Sequence, residues 1–433
     1  MLYTNSNMLP HLLAIWVGKI LILLGRLKGG SSSLPGLVVE KLYPNFIQHI
    51  PSYFDKIIVV TGTNGKTTTT KLLRNILHEE FDLVVSNQSG SNMPRGIITS
   101  VISSMSWTGK LHAKIGLFEV DEGFTTYMCK ELEPEVLAIL NLHRDQLDRY
   151  GEVDRIINML SKAAESSKSV LVNFDDPKLK SAFIQFDNIT SLSASSKVRR
   201  LVPNDDQLHK STSATIDNEK DYPADIFIKY VNGYNHGQEI KIDIRGVDIK
   251  IKTKLQGVFN AYNIAVAVAI ASDLGVNKDT INNVVANFEP AFGRSEIVKL
   301  KDKYIKILLV KNPSGFNQII VSFLNQQPLP TLIIINDNYA DGRDVSWLWD
   351  VDIENWHNID SGKIITSGTR AYDMALRLQY ADIECVVEPD IKKAIAKLIS
   401  LTPKNGTSNI VPTYTAMLKS RKLLKNKAKL KAW

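Results

Sequence analysis

A short apolar run, Lys56-Ile57-Ile58-Val59-Val60, leads straight into Gly62-Thr63-Asn64-Gly65-Lys66-Thr67-Thr68, and a helical stretch from Thr69 to Glu79 follows. A buried strand that breaks at a glycine turn and restarts as a helix is one unit of a parallel sheet. The turn also carries chemistry. Its glycines let backbone N–H groups close on phosphate oxygens, and the helix N-terminus adds positive potential there. Lys66 is then placed to reach β- and γ-phosphates, and the Thr67 hydroxyl to sit on Mg²⁺.

Further apolar segments extend this unit. Leu83-Val84-Val85, Ile115 to Phe118, Val136 to Leu140 and Ser169 to Val172 read as strands with helical segments between them. Such alternation predicts a doubly wound α/β domain. Ser193 to Tyr222 is polar and poorly patterned, and reads as an irregular insertion. Ile226 to Ile251 alternates as a small antiparallel addition would, and Ala261 to Ala271 reads as a helix. A second α/β region begins near Ser295, with strands at Ile305 to Val310, Thr331 to Ile335 and Lys363 to Thr366. A length of 433 residues suits two or three such units. The predicted division is a helical N-terminal segment over residues 1–50, a central nucleotide-binding domain over 51–294 with a variable insertion at about 190–255, and a C-terminal domain over 295–433.

Charge excludes one class of partner. The net charge is +7, and Lys419, Arg421, Lys422, Lys425, Lys427, Lys429 and Lys431 in the last fifteen residues account for all of it. The rest of the chain is near neutral, which argues against nucleic-acid binding. The basic tail is either a solvated helix end or a contact for anionic lipid. Leu12 to Leu27 is strongly apolar, although Gly18 and Lys19 interrupt it, and Gly29 to Gly36 reads as a loop. The apolar stretch is read as a helix packed on the domain, with rest at a membrane surface as the alternative. It is short for a span and lacks a signal-peptide pattern. Two distant cysteines, Cys129 and Cys385, imply no disulfide framework and cannot build a four-cysteine zinc site. The expected setting is a reducing cytoplasm.

The glycine turn resembles the T-G-T-N-G-K-T-T loop of the Mur ligase family and its folylpolyglutamate synthase relatives, and the resemblance runs along most of the chain. Asn141 to Arg149 is similar to the family's N-x-x-x-D-H-x-D-R block, with Gln146 where the other ligases carry a metal-associated histidine. Val172 to Pro177 resembles V-N-x-D-D-P, Gly257 to Asn263 resembles G-x-x-N-x-x-N, and Gly293 to Glu296 resembles the G-R-x-E hinge. Leu308 to Pro313 stands where the amino-acid-adding ligases have D-Y-A-H-N-P. Asn336 to Trp347, N-D-N-Y-A-D-G-R-D-V-S-W, looks like the MurT branch of the family, and Thr366 to Arg370 and Pro412 to Leu418 are similar to later blocks of that branch. Many MurT proteins hold a four-cysteine zinc ribbon that this chain cannot form, so no structural zinc is expected.

The resemblance implies an α/β fold with a central P-loop ATP-binding domain, an inserted region and a C-terminal Rossmann-like α/β domain. It implies ATP and Mg²⁺ as cofactors. Gly62, Thr63, Asn64, Gly65, Lys66, Thr67, Thr68, Asn260, Asn263 and Arg294 would bind nucleotide. Asn260 and Asn263 lie three apart, so both face one ligand from a helix start, where the family meets the adenine. Thr67 and Glu119 would hold Mg²⁺, with Glu122 the alternative carboxylate. Lys311 and Asn312 would face the phosphoryl or acyl group, or simply fix a turn before Pro313. His143 is left out of the metal site. Asp344 would reach a partner's glutaminase centre and orient its catalytic histidine, a role in which a carboxylate fixes the imidazole tautomer.

The implied activity is ATP-dependent amidation of the D-glutamate α-carboxylate in the stem peptide of lipid II. Ammonia would come from a GatD-like glutamine amidotransferase subunit in a heterodimer, because Cys129 lacks the strand–turn setting of a nucleophile. The expected location is the cytoplasm, at or near the inner face of the membrane. The rival reading is a self-sufficient ligase that joins an amino acid to a soluble substrate.

Overall fold

Strand β1 (Lys56–Thr61) shows why the chain must be covered on both sides. Ile57 and Val59 enter one core, Ile58 and Val60 another, and all four are at most 5% exposed. A strand apolar on both faces needs helices above and below it. The computed structural model describes residues 5–27, 33–87, 91–111, 113–142, 153–201, 221–234, 237–289 and 294–425.

The first sheet has nine strands in the order β2-β3-β1-β4-β5-β6-β7-β8-β9. Here β2 is Val84–Ser86, β3 Ile115–Glu119, β4 Val136–Ile139, β5 Ser169–Asn173, β6 Ile189–Ala194, β7 Ile226–Tyr234, β8 Gly237–Ile244 and β9 Val247–Thr253. Pairing is parallel from β2 to β7, and β8 and β9 continue the same sheet as antiparallel strands. Strand β1 lies between β3 and β4; the connection after β1 leads toward β2 on one side, and the connection after β4 leads to β5 on the other. A crevice at such a switch point is where open α/β sheets bind ligands.

Two helices cover one face of this sheet near β1. The Lys66–Leu77 helix packs there with the Val258–Asp273 helix, in which residues 260–271 are all buried. On the other face lie the Pro94–Ser104 and Glu122–Leu132 helices. Helices α1 (Asn5–Leu27) and α2 (Leu34–Leu42) join that face, through Ala14, Ile15 and Val39.

Several local expectations are corrected. The helix after the phosphate loop starts at Lys66, three residues before Thr69, because Gly65 in the left-handed region (φ 91°) completes the turn by itself. Leu34, Pro35 and Gly36 belong to α2 rather than to a loop. Gly36 is needed there, since a Cβ would sit 1.9 Å from the Arg95 carbonyl oxygen. Gly18 does not interrupt α1. It lets the helix approach Val39 and Ile102, whose side chains a Cβ would meet at 2.9 and 3.2 Å. Ser193 and Ala194 end strand β6, and Ser196–Arg199 forms a helical turn, so the irregular reading fails for these residues. Residues 202–220 of that stretch lie outside the described residues.

The second sheet has six strands in the order β10-β11-β15-β12-β13-β14. They are β10 Arg294–Leu300, β11 Lys303–Leu308, β12 Thr331–Ile334, β13 Ile364–Ser367, β14 Val386–Val387 and β15 Thr407–Pro412. Only β10 runs antiparallel to its neighbour. Its two faces carry separate apolar clusters, one including Phe316, Ile333 and Met374 and the other Ile305, Leu332 and Leu398.

Candidate active site

The phosphate loop is shaped by its glycines and pinned by one asparagine. Gly62 (φ 126°) and Gly65 (φ 91°) have backbone that L side chains rarely adopt. Each also lies too close to a neighbour for a side chain: a Cβ on Gly62 would be 2.9 Å from the Asn141 carbonyl oxygen, and one on Gly65 2.2 Å from Asn263 Oδ1. Asn141, just beyond β4, accepts at its carbonyl from Thr63 N–H and at Oδ1 from Asn64 N–H (2.9 Å), and donates through Nδ2 to the Asn64 carbonyl (2.9 Å). Its place in the resembling block was visible in the sequence. Its grip on the loop was not.

Lys66 is 7% exposed and its ammonium is turned back into the loop. It donates to the carbonyl oxygens of Gly62 and Thr63 and to Glu122 Oε2 at 3.0 Å. Burial pulls the Lys66 ammonium down, but Glu122, Glu119 and Asp121 override this and hold it above its ordinary value. Burial likewise pushes the Glu122 carboxyl up, and Lys66 and Lys311 bring it net below the usual range. Both groups are therefore charged at neutral pH.

The two candidate carboxylates have different partners in this geometry. Glu119 ends β3 and accepts from the Thr67 hydroxyl at 3.1 Å, while Glu122 is occupied by Lys66. Asn87 brackets the Glu119 backbone, accepting from its N–H (2.9 Å) and donating to its carbonyl (2.7 Å). Asp121 caps the Glu122–Leu132 helix by accepting from Gly123 N–H. Sequence reasoning passed over Asn87, because a lone asparagine after a three-residue strand carries no pattern.

Mg²⁺ takes few protein ligands and fills its octahedron with water and substrate phosphate. Thr67 and Glu119 beside the phosphate loop fit that requirement. Among the described residues no group of three His, Cys, Asp or Glu is disposed to hold a metal ion without such help.

The C-terminal region reaches this loop directly. Lys311 Nζ donates to the Thr63 carbonyl at 3.2 Å, and Asn312 Nδ2 lies 3.3 Å from Asn64 Oδ1. Asn312 is also the cap of the Pro313–Ser322 helix, accepting from Gly315 N–H at 2.8 Å. Asn312 thus both fixes its turn and touches the phosphate loop. Arg294 opens β10 opposite Leu308, and its side chain lies outside the described residues, as do His143 and the Asp145–Arg149 block.

Asn260 and Asn263 are buried and bonded to each other at 3.2 Å. Asn263 abuts Gly65, so it sits at the phosphate loop itself. A further network fixes this helix. The Tyr262 hydroxyl donates to Asp175 at 2.7 Å, and Asp175 also accepts from Ser193 Oγ and Ala194 N–H, with Arg199 at 3.6 Å. Burial pushes both the Asp175 carboxyl and the Tyr262 hydroxyl upward.

Asp344 stands on the 335–345 loop after β12, and it is exposed. Its Oδ1 accepts from Ser346 N–H at 2.8 Å, a bond that holds its carboxyl below the usual range. The loop is tied down behind it. Asp341 accepts from the Thr415 N–H and hydroxyl, and Asp337 pairs with Arg370 at 2.8 Å. Cys129 is buried, and that burial pushes its thiol up to about 12, so it is inert as a nucleophile.

Residues 60–271 match the Mur ligase middle domain, and residues 309–417 match the MurT ligase C-terminal domain. The lipid II isoglutaminyl synthase (glutamine-hydrolyzing) subunit MurT of Staphylococcus aureus (strain COL) is 32% identical over 416 residues, covering 89% of this chain and 91% of that one. The subunit of the same name from Streptococcus pneumoniae (strain R6) is 32% identical over 422 residues, covering 92% and 93%. The chain belongs to the MurT branch of the Mur ligase family. Solved Mur ligases share its fold. MurF from Acinetobacter baumannii superposes with a TM-score of 0.67 at 16% identity, covering 91% of this chain and 80% of that one. MurF from Thermotoga maritima in complex with ADP gives 0.63 at 18% identity, covering 91% and 85%. This MurT-family chain is an ATP-dependent ligase with the α/β Mur-ligase fold.

Proposed function

We propose that this chain is the ATP-using half of a glutamine-dependent amidation, acting on the D-glutamate α-carboxylate of the stem peptide carried by lipid II. The carboxylate oxygen attacks the γ-phosphorus of ATP, ADP leaves, and an acyl phosphate forms. Ammonia then attacks the acyl carbon, phosphate leaves with the bonding pair, and a proton is lost to give D-isoglutamine. The observation that carries this reading is the meeting of Lys66, Thr67 and Glu119 with Lys311 and Asn312 from the second sheet. That arrangement supports the reading, since it would bring cations and donors from two sides to a phosphoryl group bound at the loop.

Gly62 to Thr68 would cradle the phosphates, Asn260 and Asn263 would set the nucleoside end against the loop, and Arg294 would close the hinge. Lys66 would leave Glu122 for the transferring phosphoryl group. Thr67 and Glu119 would hold Mg²⁺, which would supply charge neutralisation there. We place the ATP-binding domain at 51–294 and the C-terminal domain at 295–433, after an N-terminal helical segment over 1–50. A GatD-like glutaminase is proposed as the heterodimeric partner, with exposed Asp344 orienting its histidine, and the complex is placed in the cytoplasm at the inner membrane face.

The test is product formation by the purified chain with ATP and a stem-peptide substrate, run with ammonium chloride alone and with glutamine plus the glutaminase. Amidation under both conditions supports the reading. Transfer of a free amino acid with no use of ammonia would establish the self-sufficient ligase instead.

A further inference from the structure

Helix α1 is apolar on two opposite sides, and among the described residues only one of them is packed. Ala14, Ile15 and Gly18 point inward, against Val39 of α2 and Ile102 of the Pro94–Ser104 helix. Leu9, Leu13, Trp16, Ile20, Leu23 and Leu24 are 44–66% exposed. Leu9, Leu13, Trp16, Ile20 and Leu23 are spaced four, three, four and three residues apart, with Leu24 beside Leu23, which lays them along one stripe opposite the packed face. Single exposed leucines are ordinary, but a stripe this long marks an interaction surface.

The border of the stripe says what it meets. Trp107, 51% exposed, extends it sideways, with the Trp16 indole N–H donating to the Trp107 carbonyl at 2.7 Å. Lys19 lies over the Trp107 ring, and Arg26, seven residues on, shares its flank of the helix. Lys110 is exposed on the same loop as Trp107. Neither α1 nor residues 106–110 contain an acidic side chain. Tryptophans at the edge of an apolar strip, with basic side chains beside them, match the interfacial layer of an anionic bilayer. A second copy packed through the same stripe would bring only like charge to this flank.

We infer that the outward face of α1, with Trp107, docks flat on an anionic lipid bilayer. The Leu12–Leu27 stretch read as too short to span, but α1 begins at Asn5, and its Leu9–Arg26 window is long and apolar enough to cross a membrane by length and composition. Crossing would strip Ala14, Ile15 and Gly18 from α2 and the Pro94–Ser104 helix, so the helix lies in the interface plane with its other face still on the domain. This deepens the membrane placement proposed above and rests on that part of the reading, since a lipid-linked substrate is met most often by an enzyme held at its surface.

The experiment is flotation of the full 433-residue chain with vesicles of phosphatidylglycerol and phosphatidylcholine in equal parts, and with phosphatidylcholine alone. The wild-type chain is expected to float with the anionic vesicles and weaken as salt rises. L13S/I20S/L24S should cut partitioning by roughly tenfold or more, and K19Q/R26Q by roughly tenfold on anionic vesicles only. Amidation of a water-soluble stem peptide by either variant, without vesicles, should match wild type. No flotation by the wild-type chain overturns the inference, as does equal flotation by the serine variant. So does a wild-type dimer in sedimentation equilibrium that the serine variant dissolves while vesicles stay bare. Loss of wild-type amidation of the soluble peptide would sink the proposed function and leave the flotation result standing.

Discussion

The phosphate loop and the Asp344 loop are both polar turns at the end of a parallel strand, yet they are built oppositely. In the first, the charged groups are buried and spoken for: Lys66 and Glu122 are 7% and 6% exposed and bonded at 3.0 Å. In the second, the buried carboxylate, Asp341, ties the loop to Thr415, and Asp344 is left facing solvent on a firm base. The contrast teaches that one chain can hold two kinds of carboxylate chemistry. A buried charge needs its partner within the chain, because desolvation without pairing is costly. An exposed, pre-oriented one can act on a second protein, where the interface supplies the burial.

The sharpest way to break this comparison is to remove a charge from each loop and vary the nitrogen source. Lys66→Ala should lower ATP-dependent amidation by on the order of 10³-fold with either glutamine or ammonium, since no acyl phosphate accumulates. Asp344→Asn should lower glutamine-dependent amidation by on the order of 10²-fold or more in the two-subunit complex, while ammonium-dependent amidation largely survives. Equal loss with both nitrogen sources would move Asp344 into the ligase centre. Full activity with glutamine would make its loop a solvated one.

Next in size is the division between the two carboxylates. Glu119→Ala should raise the Mg²⁺ concentration needed for half-maximal turnover by roughly 10- to 100-fold. Glu122→Gln should instead cost stability, about 3 kcal/mol by urea unfolding at neutral pH, because it leaves the Lys66 ammonium buried and unpaired. The pH dependence follows from the directions of shift. The Glu122 carboxyl is depressed below 4.5, so its contribution is present above that value and lost as pH falls through its folded value. The Lys66 ammonium is raised above 10.5, so its contribution holds below that value and is lost as pH rises through its folded value. The gap between wild type and Glu122→Gln should therefore be flat between these limits and close in acid. A gap that opens in acid would contradict the pairing.

The smallest expected effect is at Cys129. Its thiol, pushed up to about 12 and buried, should resist iodoacetamide in the native chain at pH 8, with modification appearing only on unfolding. Rapid native alkylation, read by peptide mass spectrometry, would show that the Glu122–Leu132 helix does not protect it.

Zinc content offers an independent check on the family comparison. The cysteines at 129 and 385 cannot replace a four-cysteine ribbon, so elemental analysis should find no stoichiometric tightly held zinc. About one zinc per chain would require ligands from His and carboxylates.

The sequence by itself determined the α/β class, the strand–loop–helix at Lys56 to Leu77 and the family, because these rest on local pattern: apolar runs, glycines where backbone turns left-handed, and blocks read in order. It preferred Glu119, at the end of a strand, to Glu122, at the start of the next helix, but could not show their partners. Only the tertiary structure supplied these, by bringing Lys66 against Glu122 and Thr67 against Glu119. Asn141, 77 residues from the loop it pins, was legible only as a letter in a block. Helix α1 was read from its composition, but which of its two apolar sides is covered depended on where α2 and the Pro94–Ser104 helix pack. Local signals report what a residue can do. Its partner is set by chain folding across distances that periodicity does not carry.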